Sequence, residues 1–418
     1  MIAAPLVVGL FCMVILGKNK KFSISWMFVF MWTTCLSFCC LGLYGLNKPS
    51  LVVVLLSCIS MLIFTLVTFI RLPVLTFGKT ISVQQEMGYF EFRAPTGKLI
   101  LYVLNIMAYA FSIPYLKKSL SILFSKGLYF LREAAFSGSG GIGSTAVLML
   151  FQYIVSPLFL ATIIVTAIDI FDRRVRPMAI VISVLDVILY TVLFAGRFTL
   201  LNFVVIILFV AIDTGRIKSV WGLIVKHKKI VFFVGLFVIG LIVLTSLRST
   251  NTVFKSVYVY FAGSFAYLSY LIDNSIGTNL YLCGRTFFGF LYNSVYTFLT
   301  VFFNVDYNGS NNIITQLTQH MVPIGGGNYY NSLGTMLHDF MADFGVYGSL
   351  LGVFLYAIIC NYIEKLKTIK NTYFIRALYY YLVLSIVFSV LSYQFRGPGA
   401  LFYIAFLYLF CHQKREHV

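Results

Sequence analysis

An all-α integral membrane protein is the fold class this sequence predicts: a polytopic bundle of about eleven transmembrane helices with one large extracytoplasmic loop. Three observations lead there. Of the 418 residues, 60% are hydrophobic and only 11% charged, far from the mix of a soluble domain. Apolar runs matching the roughly 20 residues that a bilayer core of about 30 Å demands recur from end to end. The 31 Lys and Arg residues gather in short clusters between those runs, which makes them topology signals.

The first run, 2–17, has no basic residue before it and is followed by Lys18, Lys20 and Lys21 in place of a small-residue cleavage site. It reads as a retained span, not a signal peptide. Further spans fall at about 22–46, 51–70, 99–116, 143–167, 178–196, 198–213, 230–247, 337–360, 377–394 and 399–411, by unbroken hydrophobicity between basic or turn residues. The last is short for a full crossing and begins at the Arg396-Gly397-Pro398-Gly399 turn. The chain thus reads as one integral membrane domain, 1–418.

Orientation follows from the basic residues. Twenty-one of the 31 fall on one side of these spans and 10 on the other. Short positive loops stay in the cytoplasm, so the N-terminus is expected outside, the C-terminus inside, and the long connection 248–336 outside. The net charge of +18 does not imply nucleic acid, because it forms no continuous basic face. Seven of the eight cysteines sit in apolar runs, leaving Cys283 in the large loop, and neither a disulfide framework nor a CxxC metal pattern emerges.

The 248–336 loop is where function is expected, since a connection of that length is either functional or disordered. Its aromatic content argues for order. Residues 257–272 and 286–303 read as helices at the membrane interface, with a dipping hairpin as the alternative. Arg197, Arg248, Arg285 and Arg396 stand against the positive-inside bias at outer span ends or in outer loops. A guanidinium fork binds phosphate bidentately at any working pH, which suits a lipid diphosphate; snorkelling or a structural ion pair is the competing reading. Asp339 and Asp343 are four apart and share a helix face where the chain re-enters the membrane. An acid there is a functional-site hypothesis: Asp343, Asp339 or His338 as the base that relieves a hydroxyl of its proton, against a structural role neutralising the arginines. No established metal-ligand pattern fits the three. Asp186, mid-span, is expected to pair with a polar group on a neighbouring helix, with a proton or ion path as the sharper alternative.

Two patterns are decoys. Gly138-Ser139-Gly140-Gly141-Ile142-Gly143 fits GxGxxG with no strand before it, and Asn308-Gly309-Ser310 is a common chance triplet.

At Asp343-Phe344-Gly345-Val346-Tyr347-Gly348, preceded by the Asn328-Tyr329-Tyr330-Asn331 stretch, the chain resembles the Wzy-like O-antigen or oligosaccharide repeat-unit polymerases of bacterial surface polysaccharide pathways. The Gly196-Arg197 turn and the Leu247-Arg248-Ser249 loop start look like that family too. The resemblance implies a GT-C-like glycosyltransferase of the bacterial cytoplasmic membrane. Such an enzyme joins undecaprenyl-diphosphate-linked units on the outer face into O-antigen or capsule, using no nucleotide sugar or cofactor. It further implies Tyr330 and Asn331 among the substrate-binding residues, and membrane lipid and a chain-length regulator protein as partners. The related O-antigen ligases carry a His-Asn pair about nine residues before the acidic position, where this chain has Gly334, which lowers the ligase reading. A lipid-linked sugar flippase is the alternative from another class, and the few charges in the spans weigh against it.

Overall fold

The computed structural model describes residues 2–17, 23–70, 95–137, 145–172, 177–194, 196, 198–215, 253–303, 305, 309–331 and 333–411. Arg197, Arg248, the expected span at 230–247 and the glycine-rich stretch 138–143 lie outside the described residues.

The other ten expected spans all fall on helices. They are α1 (Ala3–Gly17), α2 (Ile24–Leu41), α3 (Leu51–Val67), α4 (Pro95–Ser137), α5 and α6 (Thr145–Leu150 and Ser156–Phe171, joined by a π-helical turn), α7 (Pro177–Phe194) and α8 (Phe198–Asp213). After the large loop come α12 (Thr335–Lys370), α13 (Tyr373–Val387) and α14 (Gly399–Cys411). Six of the described helical stretches are long and apolar enough to cross a membrane, and four shorter apolar helices accompany them. The protein is an all-α membrane protein.

Local chemistry sets the boundaries. Ser23, Ser50 and Thr372 cap the starts of α2, α3 and α13, each side chain accepting an N–H from three residues on. The large loop is itself helical: α9 (Val253–Asp273), α10 (Gly289–Phe303) and α11 (Ser310–Thr318), followed by a two-residue antiparallel ladder of β1 (Val322–Pro323) and β2 (Tyr329–Tyr330). Both segments expected as loop helices are therefore helical, but they differ in surroundings. α9 buries Phe265, Tyr267, Leu268 and Leu271, whereas α10 exposes Leu291, Val295, Phe298 and Phe302 along one face.

The chain forms two compact units. One comprises the described parts of Met1–Gly97, Tyr258–Pro398 and Cys411–Val418; the other, those of Lys98–Val257 and Gly399–Phe410. In the first, α1, α2 and α3 pack on one another, α12 packs on α3, and α13 on α2 and α12. Two ends can be told apart. At one, Ile24 N–H donates to Glu364 (3.0 Å) and Asn361 donates to the Val67 carbonyl (2.8 Å). At the other, the loop meets the α2–α3 turn: Asn47 N–H donates to the Ile324 carbonyl (2.8 Å) and Leu43 N–H to the Tyr258 hydroxyl (3.0 Å). The tip of the β-ladder docks there through Gly326, whose φ is +57° and where a Cβ would stand 2.2 Å from the Tyr44 carbonyl oxygen. Only glycine fits that approach.

One expected span needs correction. The run 337–360 is not a single rod, because Gly345 inside α12 has φ 76° and ψ 175°. A Cβ on Gly352 would lie 2.6 Å from the ring of Phe340. Twelve residues apart on a continuous helix is about 18 Å, so the short helix 335–344 folds back on the longer helix 346–370. Hydropathy could not register the bend, since both arms are apolar on the faces that meet.

Candidate functional site

The short helix 335–344 holds three separate pieces of the loop end together, and the three residues nominated for catalysis do the holding. His338, 2% exposed, places Nε2 2.9 Å from the Ile276 carbonyl oxygen just past α9; that geometry makes Nε2 the protonated, donating nitrogen. Asp339, 1% exposed, accepts the Tyr393 N–H at Oδ2 (2.7 Å) and the Arg396 guanidinium at Oδ1 (2.8 Å). Asp343, also 1% exposed, accepts from Thr286 N–H at both oxygens (2.9 and 3.1 Å) and from Phe287 N–H at Oδ2 (2.7 Å).

The Asp343 contacts are reciprocal. A helix end leaves carbonyls without intrahelical partners, and here the N–H groups of Leu282 and Cys283 donate to the carbonyls of Ala342 and Asp343 (2.9 and 3.2 Å). The turn 282–287 thus caps the helix while the helix carboxylate caps the turn. A buried carboxylate engaged by main-chain amides is built as an anchor, and what it anchors is the turn bearing Arg285. Asp339 does the same for the turn bearing Arg396. The three side chains face three different segments and do not converge on one point.

Of the four nominated arginines, the two that are described differ in freedom. Arg396 is largely enclosed, its side chain 17% exposed, with Nε donating to Asn311 Oδ1 (2.9 Å) and one terminal nitrogen on Asp339. The ion-pair alternative raised for it holds, though it leaves guanidinium hydrogens uncommitted. Arg285 is exposed, and its guanidinium lies 5.3 Å from the ring centroid of Tyr292.

A polar bridge ties the two turns to each other. Ser310 donates to the Arg285 carbonyl (2.9 Å). Asn293, fully buried on α10, donates to Ser310 Oγ (3.2 Å) and to the Arg396 carbonyl (2.7 Å). Gly289 permits this closeness, because a Cβ there would sit 2.2 Å from the same Arg396 oxygen. The backbone carrying both cations is consequently cross-linked through two side chains.

Tyr330 and Asn331 point elsewhere. The Tyr330 hydroxyl donates to the Tyr260 carbonyl (2.6 Å), and burial pushes the phenol well above its ordinary range, so it stays a neutral donor. Asn331 donates to the Gln319 carbonyl (2.9 Å). Both brace the loop. Sequence reasoning passed over Asn293, Ser310 and Asn311. A lone amide in the aromatic run 289–303 was the available signal for Asn293; Ser310 stood inside the triplet set aside as chance.

Compared with known protein families, curated proteins and solved structures, the chain matches none.

Proposed function

We propose that the chain is a glycosyltransferase that polymerises undecaprenyl-diphosphate-linked oligosaccharide units into O-antigen or capsule at the outer face of the bacterial cytoplasmic membrane. In this reading the protein is a GT-C-like bundle of about eleven spans, 248–336 is the extracytoplasmic loop, and a chain-length regulator is a candidate partner. The observation that carries it is the Asn293–Ser310 bridge, which joins an exposed Arg285 and a preset Arg396 on adjacent turns.

The chemistry follows from those cations. An acceptor-sugar hydroxyl oxygen bonds to the donor's anomeric carbon, the bond from that carbon to the diphosphate breaks, and the diphosphate leaves with the electron pair. The hydroxyl proton passes to the leaving diphosphate or to water. Two guanidinium groups facing the diphosphate stabilise the charge that grows there, and preset donors give the largest rate effect. Asp339 holds the Arg396 guanidinium, and Asp343 holds the backbone that carries Arg285; both are positioning residues. The apolar face of α10 beside Arg285 suits contact with acyl or prenyl chains.

The test is chain extension by purified protein in liposomes supplied with a lipid-linked repeat unit. Arg285→Ala and Arg396→Ala are expected to lose long polymer, with Lys rescuing Arg396 incompletely because it lacks the fork. Wild-type protein that transfers one unit to an acceptor without extending it is a ligase, and one that only moves the lipid across the bilayer is a flippase; either result overturns the reading.

A further inference from the structure

The polymerase reading uses nothing in the second compact unit, yet its interior holds a closed polar belt. Asn105 and Tyr109 lie one turn apart on α4, Thr162 and Thr166 one turn apart on α6, and Ser183 and Asp186 three apart on α7. Asn105 Nδ2 donates to Thr162 Oγ1 (2.9 Å), Ser183 donates to Thr166 Oγ1 (2.9 Å), and the Tyr109 hydroxyl donates to Asp186 Oδ1 (2.6 Å). Three cross-links and three helical steps complete the circuit.

An inventory of hydrogens shows what the belt lacks. The second Asn105 amide hydrogen goes to the Leu101 carbonyl, the Thr162 hydroxyl to the Leu158 carbonyl and the Ser183 hydroxyl to Thr166, while the Tyr109 hydroxyl lies between Asp186 Oδ1 (2.6 Å) and the Ile182 carbonyl (3.1 Å). Two acceptors are left unmet: Asn105 Oδ1 and Asp186 Oδ2 are both buried without a hydrogen-bond partner, on side chains with no exposure. Among the described titratable groups on the helices packed against α7, Tyr109 is the one acting on Asp186. Asp169 sits one turn past Thr166 towards the α6–α7 connection, away from Asp186. A mid-span carboxyl with an unpartnered oxygen, further oxygen acceptors in the same belt and, among the described residues, no cationic side chain acting on it invites a small hard cation. With a single formal charge, the site suits a monovalent ion, since divalent sites usually gather more carboxylates.

We propose that Asp186 and Asn105 form a buried monovalent-cation site within the α4–α6–α7 belt, occupied by Na⁺ or by H⁺. The site is independent of the loop arginines, so it stands or falls without the polymerase.

The experiment uses the purified full-length chain in nanodiscs, reading thermal unfolding and labelling of Asp186 by a hydrophobic carbodiimide, with modified residues located by mass spectrometry. In the Na⁺ case, exchanging K⁺ for Na⁺ at constant ionic strength raises Tm by about 3–5 °C and slows labelling. The Tm rise is absent in Asp186→Asn, or in Asn105→Leu should the first variant not fold. In the H⁺ case, Na⁺ changes nothing, and Asp186 of the wild-type chain labels readily at low pH with labelling that falls as pH rises. A Tm indifferent to Na⁺, together with labelling that is absent or unchanged with pH, overturns the proposal.

Discussion

Asp343 and Arg285 divide the labour of one turn. The carboxylate spends its lone pairs on the amides of Thr286 and Phe287, while the guanidinium one residue earlier stays exposed. Asp343→Asn turns an N–H donor towards those amides, and leaving buried donors unmatched costs about 1–3 kcal/mol. Its Tm is therefore expected to fall, with chain extension falling alongside. Arg285→Ala is expected to leave Tm unchanged while abolishing extension, because an exposed side chain contributes little to folding. Thermal unfolding of both variants beside the extension assay checks this; a stable, inactive Asp343→Asn would return Asp343 to the position of general base. Arg396 and Asp339 form the second pair, and a double-mutant cycle on Tm is expected to show a coupling of about 0.5–3 kcal/mol, since they share one mostly buried contact. Strict additivity would mean that the pair does not set the Arg396 turn.

At the scale of elements, the fold-back of α12 decides whether those residues meet at all. The positive-φ, extended-ψ conformation at Gly345 is one that essentially only glycine adopts, and forcing Ala into it costs about 1–3 kcal/mol. Straightening the helix instead would carry 335–344 away from residues 276, 286 and 393 together. Gly345→Ala is accordingly expected to lower Tm and to expose the segment 276–287 to limited proteolysis, without altering the total helix content read by circular dichroism. Unchanged protease resistance would mean that the bend is held by packing alone. The glycine tip at Gly326 has the same standing at the other contact, where it lets the β-ladder rest on the α2–α3 turn.

For the whole molecule the leading question is sidedness, and the chain carries its own reporter. Cys283 is exposed and lies beside Arg285, while the other seven cysteines are buried. A membrane-impermeant maleimide added outside intact cells whose outer membrane has been permeabilised is expected to modify Cys283 and little else. Protection of Cys283 until the cytoplasm is opened would place the loop inside and end the polymerase reading. Within the first unit the two ends are already distinct: Leu43, Asn47, Tyr258 and Ile324 meet at one, and Ile24, Val67, Asn361 and Glu364 meet at the other. The loop end and the α2–α3 turn therefore meet at the same end of this unit.

Composition and apolar period alone determined that this is a helical membrane protein, and they put ten expected spans on described helices, because a bilayer demands both length and hydrophobicity from each span. Two helices run well past the expected ends, Pro95–Ser137 against 99–116 and Thr335–Lys370 against 337–360. The same reading singled out 338–343 and Arg396 as unusual, since acids and outer arginines in such a chain need partners. It had no means to assign those partners. That Asp339 takes Arg396 while Asp343 takes the amides of Thr286 and Phe287 depends on contacts 50 to 60 residues apart, created by a bend at Gly345 that leaves no trace in hydropathy. Asn293 and Ser310 were illegible for the same reason: an amide or hydroxyl acquires a role only when folding buries it against a particular carbonyl. Asp186 was legible as needing a partner. Which partner, and that its second oxygen would be left without one, was decided only by the packing of α4, α6 and α7.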